Sequence, residues 1–349
     1  MHNALVLTNG LLKANDAKTA HGLIRGTERY QIAGVIDNSE TAGRDAGEIL
    51  DGKHRNIPVF ASLDDALTQL SDIQFLIIGV ATVGGYLPPD MLIIIKQAIG
   101  RGLSIVNGLH EFLSENPEIL SLATANNVQL IDIRKPKPKK DLHFWKGEIF
   151  SVKAPIIAVM GIDCAVGKRT TARLLTQACR QIGLKAEMIY TGQTGWLQGG
   201  KYGFVLDSTL NDFVSGELEH AIVSCSKETG ADIIFLEGQS SLRNPSGPCG
   251  LELLLSGNAK QVVLVYAPTR KYFDDDPHWG EIPSAASEID IIEKFGSKVI
   301  ALVLNTKDCS QEEAFTFQKQ YEAELDIPVL LPIEEGVEKI IPVIKSILL

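Results

Sequence analysis

The chain has 349 residues, 45% hydrophobic and 22% charged, enough to bury the cores of about two domains and too apolar for wholesale disorder. Its 33 Lys and Arg stand against 43 Asp and Glu, and the formal net charge of −10 argues against nucleic acid or an anionic membrane as the main partner. Five scattered cysteines without a Cys-x-x-Cys pair, no apolar run of the roughly 18–20 residues that cross a bilayer, and no signal-peptide pattern at the start together predict a cytoplasmic protein.

In chain order, short Val/Ile/Leu runs at Ala4–Thr8, Tyr30–Asp37, Phe75–Ala81, Leu103–Asn107 and Val128–Ile133 read as strands buried on both faces. Helical patterns such as Leu63–Leu70 and Met91–Gly100 separate them, the rhythm of a doubly wound parallel sheet. Asp37 ends the second strand where a ribose-binding acid would lie. Only Thr8-Asn9-Gly10 follows the first strand, so the glycine pattern of a dinucleotide site is missing. The lysine- and proline-rich KPKPKKD (135–141) suits neither helix nor strand and reads as a linker, giving domains 1–140 and 141–349.

A second alternation follows. Strands are expected at Ile156–Met160, Ala186–Thr191, Ile233–Glu237, Val262–Tyr266, Val299–Asn305 and Val329–Leu331. Helices are expected near Lys168–Ile182, Asp212–Ser224, Ser287–Phe295 and Gly336–Leu348. The fold class is therefore α/β: two doubly wound domains, the second carrying a phosphate loop.

That loop is the most specific signal. Strand Ile156–Met160 runs into Gly161, then Asp163, Cys164, Ala165, Val166, Gly167, Lys168, Arg169, Thr170 and Thr171 open a helix. Converging amides, a close backbone approach at Gly167, the helix N-terminus and the Lys168 charge make an anion cradle. Five residues rather than four separate the glycines, and Arg169 occupies the slot where Ser or Thr would hold Mg²⁺. A second cation there tilts the ligand toward a metal-free polyanion such as coenzyme A. Thr170 still offers a hydroxyl for a metal.

Other candidates lie after strands, where such sheets bind ligands. Glu237 ends an apolar strand before Gly238-Gln239-Ser240-Ser241, placed to hold Mg²⁺ or act as a general base. Thr191, Gly192, Gln193, Thr194 and Gly195 read as a substrate loop, with Gln239 and Ser240 beside it. Asp212 lies near a helix start. Asn305 stands where phosphate-loop enzymes often read adenine, and Arg243 and Arg270 are suited to clamping a substrate carboxylate. Asp274-Asp275-Asp276 and His278 read as an exposed loop. The remaining histidines show no metal-ligand spacing, and no metal site is expected.

GIDCAVGKRTTA (161–172), TGQTG (191–195), the spacing of Asp212, Phe213, Gly216 and Glu219, and LEGQSSL (236–242) together resemble the D-glutamate N-acetyltransferase-like family, also catalogued as domain of unknown function 1611. The likeness spans essentially the whole chain, and the phosphate loop is also similar to that of dethiobiotin synthetase. The resemblance implies a Rossmann-like first domain, a phosphate-loop second domain, and acetyl transfer from acetyl-CoA to the amine of an acidic amino acid such as D-glutamate. Gly161 to Thr171 would then cradle the coenzyme phosphates, and Glu237 or Asp212 would take the ammonium proton. Amides at Gly192–Gly195 or Gly238–Ser240 would face the oxyanion, and Arg243 or Arg270 the substrate carboxylate. Relatives tend to carry a His before Pro245, where this chain has Asn244. An ATP/Mg²⁺-dependent ligase or kinase, and a non-catalytic nucleotide or acyl-CoA sensor, are the alternatives. The expected partner is a small amino acid, with a homo-oligomer expected only from general frequency.

Overall fold

The computed structural model describes residues 1–348, and among them lie two parallel six-stranded sheets. The chain divides into two units. One is Met1–Pro136 with Gln193–Gly199; the other is Lys137–Gly192 with the chain from Gly200 onward.

In the first unit the elements run β1 (His2–Leu7), α1 (Lys18–Arg25), β2 (Tyr30–Ile36), α2 (Ala46–Asp51), β3 (Val59–Phe60), α3 (Leu63–Gln69), β4 (Phe75–Ile78), α4 (Pro89–Gly100), β5 (Ser104–Asn107), α5 (Pro117–Ala125) and β6 (Leu130–Asp132). The sheet order is β3-β2-β1-β4-β5-β6. Successive side chains leave a strand on opposite faces. Accordingly Leu5 and Leu7 join one buried cluster with Met91 and Ile95, while Ala4 and Val6 join another with Leu23 and Ile24. Both faces are covered, which is why β1 is an unbroken apolar run.

In the second unit the order is β7 (Ile156–Gly161), α6 (Lys168–Gln181), β8 (Ala186–Ile189), then α7 (Gln193–Leu197), which belongs to the first unit. There follow α8 (Asn211–Thr229), β9 (Ile233–Glu237), α9 (Leu251–Leu255), β10 (Gln261–Tyr266), α10 (Ala285–Lys294), β11 (Lys298–Leu304), α11 (Gln311–Leu325), β12 (Val329–Leu330) and α12 (Ile341–Ile347). The sheet order is β12-β11-β10-β7-β9-β8. One cluster built on β7, β9, β10 and β11 forms the core, with Phe235 fully buried at its centre. A Phe235→Ala change there would cost about 3–5 kcal/mol.

Several strands stop one to three residues before the expected end, because the next residues turn out of the sheet to make loop contacts. Thr8 donates its hydroxyl to Asp37, and Thr191 donates its amide to Glu237. The expected helix over 336–348 is broken into a 3-10 turn at Glu338–Ile340 and α12, where Pro342 supplies no amide and sits in the first turn. The segment 135–141 is exposed and irregular apart from a single 3-10 turn at Lys139–Asp141. Among the described residues, no helix is long and apolar enough to cross a membrane.

Candidate functional site

β7 delivers the chain into the loop 161–167, and α6 begins at Lys168. Gly161 has no room for a side chain: a Cβ there would lie 2.9 Å from Val166 and 3.0 Å from Lys168 Cγ. Gly167 caps the helix at φ 108°, a conformation that favours glycine. No side chain caps α6, so its first-turn amides and positive dipole end are directed at the loop. Lys168 is buried, and its ammonium donates to the carbonyls of Asp163 at 2.5 Å and Ser240 at 2.7 Å. An ammonium has three donors, so one remains for an anion. Burial depresses the Lys168 pKa from its ordinary 10.5, against the pull of Cys164, Asp163, Cys249 and Glu237. A bound phosphate would reverse that depression.

Asp163 is fully buried and holds this loop from behind. Asn244 Nδ2 donates to its Oδ1 at 2.8 Å, while Arg270 Nη1 and the Asp274 amide each donate to its Oδ2 at 2.8 Å. Arg270 also donates to the Cys164 carbonyl and pairs with Asp275 at 3.3 Å. Its guanidinium, expected to clamp a substrate, is thus engaged by the protein's own carboxylates. The acidic run 274–276, expected as a bland exposed loop, reaches into the hub through Asp274. Asn244, which stands where relatives tend to carry His, is wholly buried in the same network. Ligand atoms of Asp163, Cys164 and Asp274 lie within 4.8 Å of one another, but the Asp163 oxygens already accept three hydrogen bonds.

β9 pairs with β7 so that Glu237 is the register partner of Val159, next to the phosphate loop. Its carboxylate accepts from the Thr191 amide at 3.0 Å, its carbonyl accepts from the Thr191 hydroxyl at 2.7 Å, and Gln239 donates to that hydroxyl at 3.0 Å. Burial pushes the Glu237 carboxyl above its ordinary 4.5, against the Arg169 charge and the amides of Thr191 and Gly192. A Cβ on Gly192 would meet Gln239 Nε2 at 2.8 Å, so the Gln239 side chain would have to shift to admit one. Ser240 adopts φ 39°, and its carbonyl is the one that Lys168 reaches. The Cys164 thiol lies 3.7 Å from the Ser240 hydroxyl, and burial raises its pKa. Thr171 is buried on the first turn of α6, with Thr170 and Arg169 half-buried beside it.

The other expected site residues have different posts. Gln193, Thr194 and Gly195 are not a loop but the start of α7, within the first unit. There Arg134 donates to Gln193 at 2.8 Å, and Thr194 lies 3.3 Å from Thr19. Arg243 is committed to buried Glu288, at 2.7 Å from Nε and 2.6 Å from Nη2, and so anchors its loop to α10. Asp212 stands exposed on the first turn of α8, outside the buried set around Lys168. Asn305 donates to the Val166 carbonyl at 3.0 Å and accepts from the Lys307 amide at 3.0 Å. Its amide therefore braces the phosphate loop and keeps one N–H and one carbonyl lone pair beyond these two bonds.

Phe213-x-x-Gly216-x-x-Glu219 has a structural role that sequence spacing did not reveal. A Cβ on Gly216 would collide with the His143 backbone. Glu219 accepts from the amides of Lys146 at 2.6 Å and Ile149 at 3.1 Å. Buried Glu217 accepts from the His143 amide and Lys137, both within 2.8 Å. The motif pins residues 137–149 along α8.

Comparison with known proteins agrees with this architecture. The family model described as the domain of unknown function DUF1611 P-loop domain matches residues 143–341, and its Rossmann-like companion, DUF1611_N, matches 39–136. This chain belongs to the DUF1611 family. A DUF1611 protein from Anabaena variabilis has a crystal structure that superposes with a TM-score of 0.91 at 28% identity, covering 99% of this chain and 100% of that one. Two curated relatives carry the name D-glutamate N-acetyltransferase. The one from Pseudoalteromonas is 30% identical over 76% of this chain and 79% of its own length. The one from Tritonibacter scottomollicae is 26% identical over 78% and 81%. Relatives so named point to a transferase of the DUF1611 class.

Proposed function

We propose that this protein is an acetyl-CoA-dependent N-acetyltransferase acting on the amine of an acidic amino acid such as D-glutamate. The observation that carries the reading is the name shared by two relatives aligned over three quarters of the chain. The site is compatible with it. A cradle shaped by Gly161 and Gly167, an uncapped helix and a buried ammonium with a donor to spare fits the diphosphate of the coenzyme. Arg169, in place of the usual hydroxyl residue, adds positive charge without calling for a metal.

Acetyl-CoA would supply an activated acyl group as a thioester. The chain's own task is then to hold the phosphates through 161–171 and to deprotonate the acceptor ammonium, since only the neutral amine is a nucleophile. Glu237, buried and raised in pKa, is the group suited to take that proton. The Gly192 and Gly238 segments, where glycine lets a backbone amide approach a reacting carbonyl, are the candidates for steadying the oxyanion.

The second reading is an ATP-dependent ligase or kinase. It is favoured by the register of Glu237 beside β7, where an acid could hold Mg²⁺ next to the phosphates. Calorimetric titration with acetyl-CoA, and with ATP with and without Mg²⁺, decides between them. Metal-independent acetyl-CoA binding, reduced at least about 100-fold in Lys168→Ala, supports acyl transfer, and thiol release with D- and L-glutamate then reads the acceptor. Tight Mg–ATP binding without an acetyl-CoA signal overturns it.

A further inference from the structure

β8 and β9 pair in register as far as Ile189 and Leu236, and there the ladder ends. The next residue, Tyr190, bridges to Gly203 instead, so the chain swings away from β9. Thr191 brings it back. Its hydroxyl donates to the Glu237 carbonyl at 2.7 Å, and its amide donates to Glu237 Oε2 at 3.0 Å. The carbonyl can only accept, so the hydroxyl gives its single proton there and accepts from Gln239 Nε2 at 3.0 Å. Thr191 and Glu237 are 1% and 3% exposed, which leaves water little access to replace a lost donor.

The same loop is held from its other side through two carbonyls. The Phe204 amide donates to that of Tyr190 at 3.1 Å, and the Leu206 amide to that of Thr191 at 2.9 Å. Toward the end of β9 the side-chain tie is the Thr191 hydroxyl. What hangs on that tie is the Glu237 carboxyl. Burial raises its pKa; against burial act the Arg169 charge, the amides of Thr191 and Gly192, and the Lys168 charge. The two cations stand on the first turn of α6, whereas the two amides belong to the loop that Thr191 ties down. Hydrogen bonds to an ionised carboxylate favour its charged form, and they do so only while the donors stay aimed at it.

We propose that Thr191 is a positioning residue: its hydroxyl, steadied by Gln239, latches the loop after β8 onto β9, aims the Thr191 and Gly192 amides at the Glu237 carboxylate, and so sets how that group is oriented and how readily it takes a proton. The consequence for rate rests on the acetyltransferase reading, in which Glu237 accepts the ammonium proton. The latch itself does not, and under the Mg²⁺ reading it would orient the same acid toward the metal.

The test follows the Glu237 carboxyl by its infrared C=O band against pH, the band being assigned by its loss in Glu237→Gln. Thr191→Val keeps the shape of the side chain and removes the hydroxyl, and Thr191→Ser restores it. Thr191→Val is expected to raise the midpoint by about one pH unit, because slackened amides no longer offset burial, and Thr191→Ser to return it to the wild-type value. The acid limb of the kcat/KM profile for acetyl transfer should move by the same amount, with the KM for acetyl-CoA unchanged within about twofold, since the phosphate loop is untouched. Should Thr191→Val not fold, Thr191→Ala carries the same expectation. An unmoved midpoint in the folded variant, or a shift that Thr191→Ser leaves in place, overturns the assignment even where the melting temperature falls, since a tie that serves only the fold lowers stability alone. If the wild type transfers no acetyl group while the midpoint moves as expected, the acetyltransferase reading fails and the latch stands. If the wild type turns over and Thr191→Val titrates like it, the latch fails and that reading survives.

Discussion

Asp37 and Asp163 hold comparable posts in the two sheets, and what they do there differs. Asp37 lies just past β2, fully buried, and gathers the Thr8, Ser39 and Thr41 hydroxyls and the amides of Gly10 and Leu12, all within 3.0 Å. The loop after β1 is thereby folded back onto the acid. An acid in that position would serve a ribose in a dinucleotide fold, but here the protein's own donors fill it. Asp163 instead grips the phosphate loop from behind through Asn244, Arg270 and Asp274. Lys168 and the uncapped start of α6 stay directed at the loop 161–167. One carboxylate closes a strand-end crevice, and the other props one open.

This contrast can be broken from either side. The largest effect is expected from Glu237→Gln, which should lower turnover about 10²–10⁴-fold if Glu237 is the proton acceptor. Its stability should move the other way. A carboxyl whose folded pKa is raised stabilises the fold fully below its ordinary 4.5 and loses that contribution as pH rises through the folded value. Glu237→Gln should therefore melt higher than the wild type at neutral pH, with the gap closing near pH 4. A lower melting temperature at pH 7 would contradict the assigned burial penalty.

Asp37→Asn should cost the first unit about 3 kcal/mol through hydrogen bonds to a charged acceptor, with little effect on phosphate binding. Burial alone would raise the Asp37 pKa, but the hydroxyl and amide donors more than offset it and hold it below 3.8. Its contribution is thus complete above about pH 3.8 and fades as pH falls through the folded value. Melting curves of the two proteins should stay separated from pH 7 to 5 and converge in acid. The smallest effect is expected from Glu219→Gln, about 1 kcal/mol, from weaker bonds to the Lys146 and Ile149 amides. Faster amide exchange at 146–149 without a change in ligand affinity would mark a purely structural anchor.

Strands buried on both faces were legible because a short, unbroken apolar run between turn residues suits little besides a covered strand, and β9 has the bounds its sequence suggests. β3 was missed, since Val59–Phe60 is too short to show a period. α11 was missed although Ser310 and Glu313 form a capping box, a signal readable from sequence. Thr191 to Gly195 read as one loop because glycine and threonine suggest turns, yet the helix begins at Gln193 under the control of packing that only the fold reveals. Of the site, the phosphate loop and Glu237 could be seen in the residues. The contacts of Asn244 and Glu217 could not, because their partners Asp163 and Lys137 are 81 and 80 residues away in the chain.

The crossing of α7 into the first unit also bears on how the protein is made. Leu197 is fully buried in the cluster containing Leu23 and Ile24, Gln198 donates to the carbonyls of Gly22 and Gly26, and Arg29 lies 4.0 Å over the Trp196 ring. A ribosome that has released Pro136 must still add roughly 60 residues, several seconds at about 5–20 residues per second, before that helix exists. Throughout this interval the nascent first unit carries an unfinished apolar face along α1. Translation order thus leaves a window for chaperone capture, and a gene fragment ending at the linker would make that window permanent.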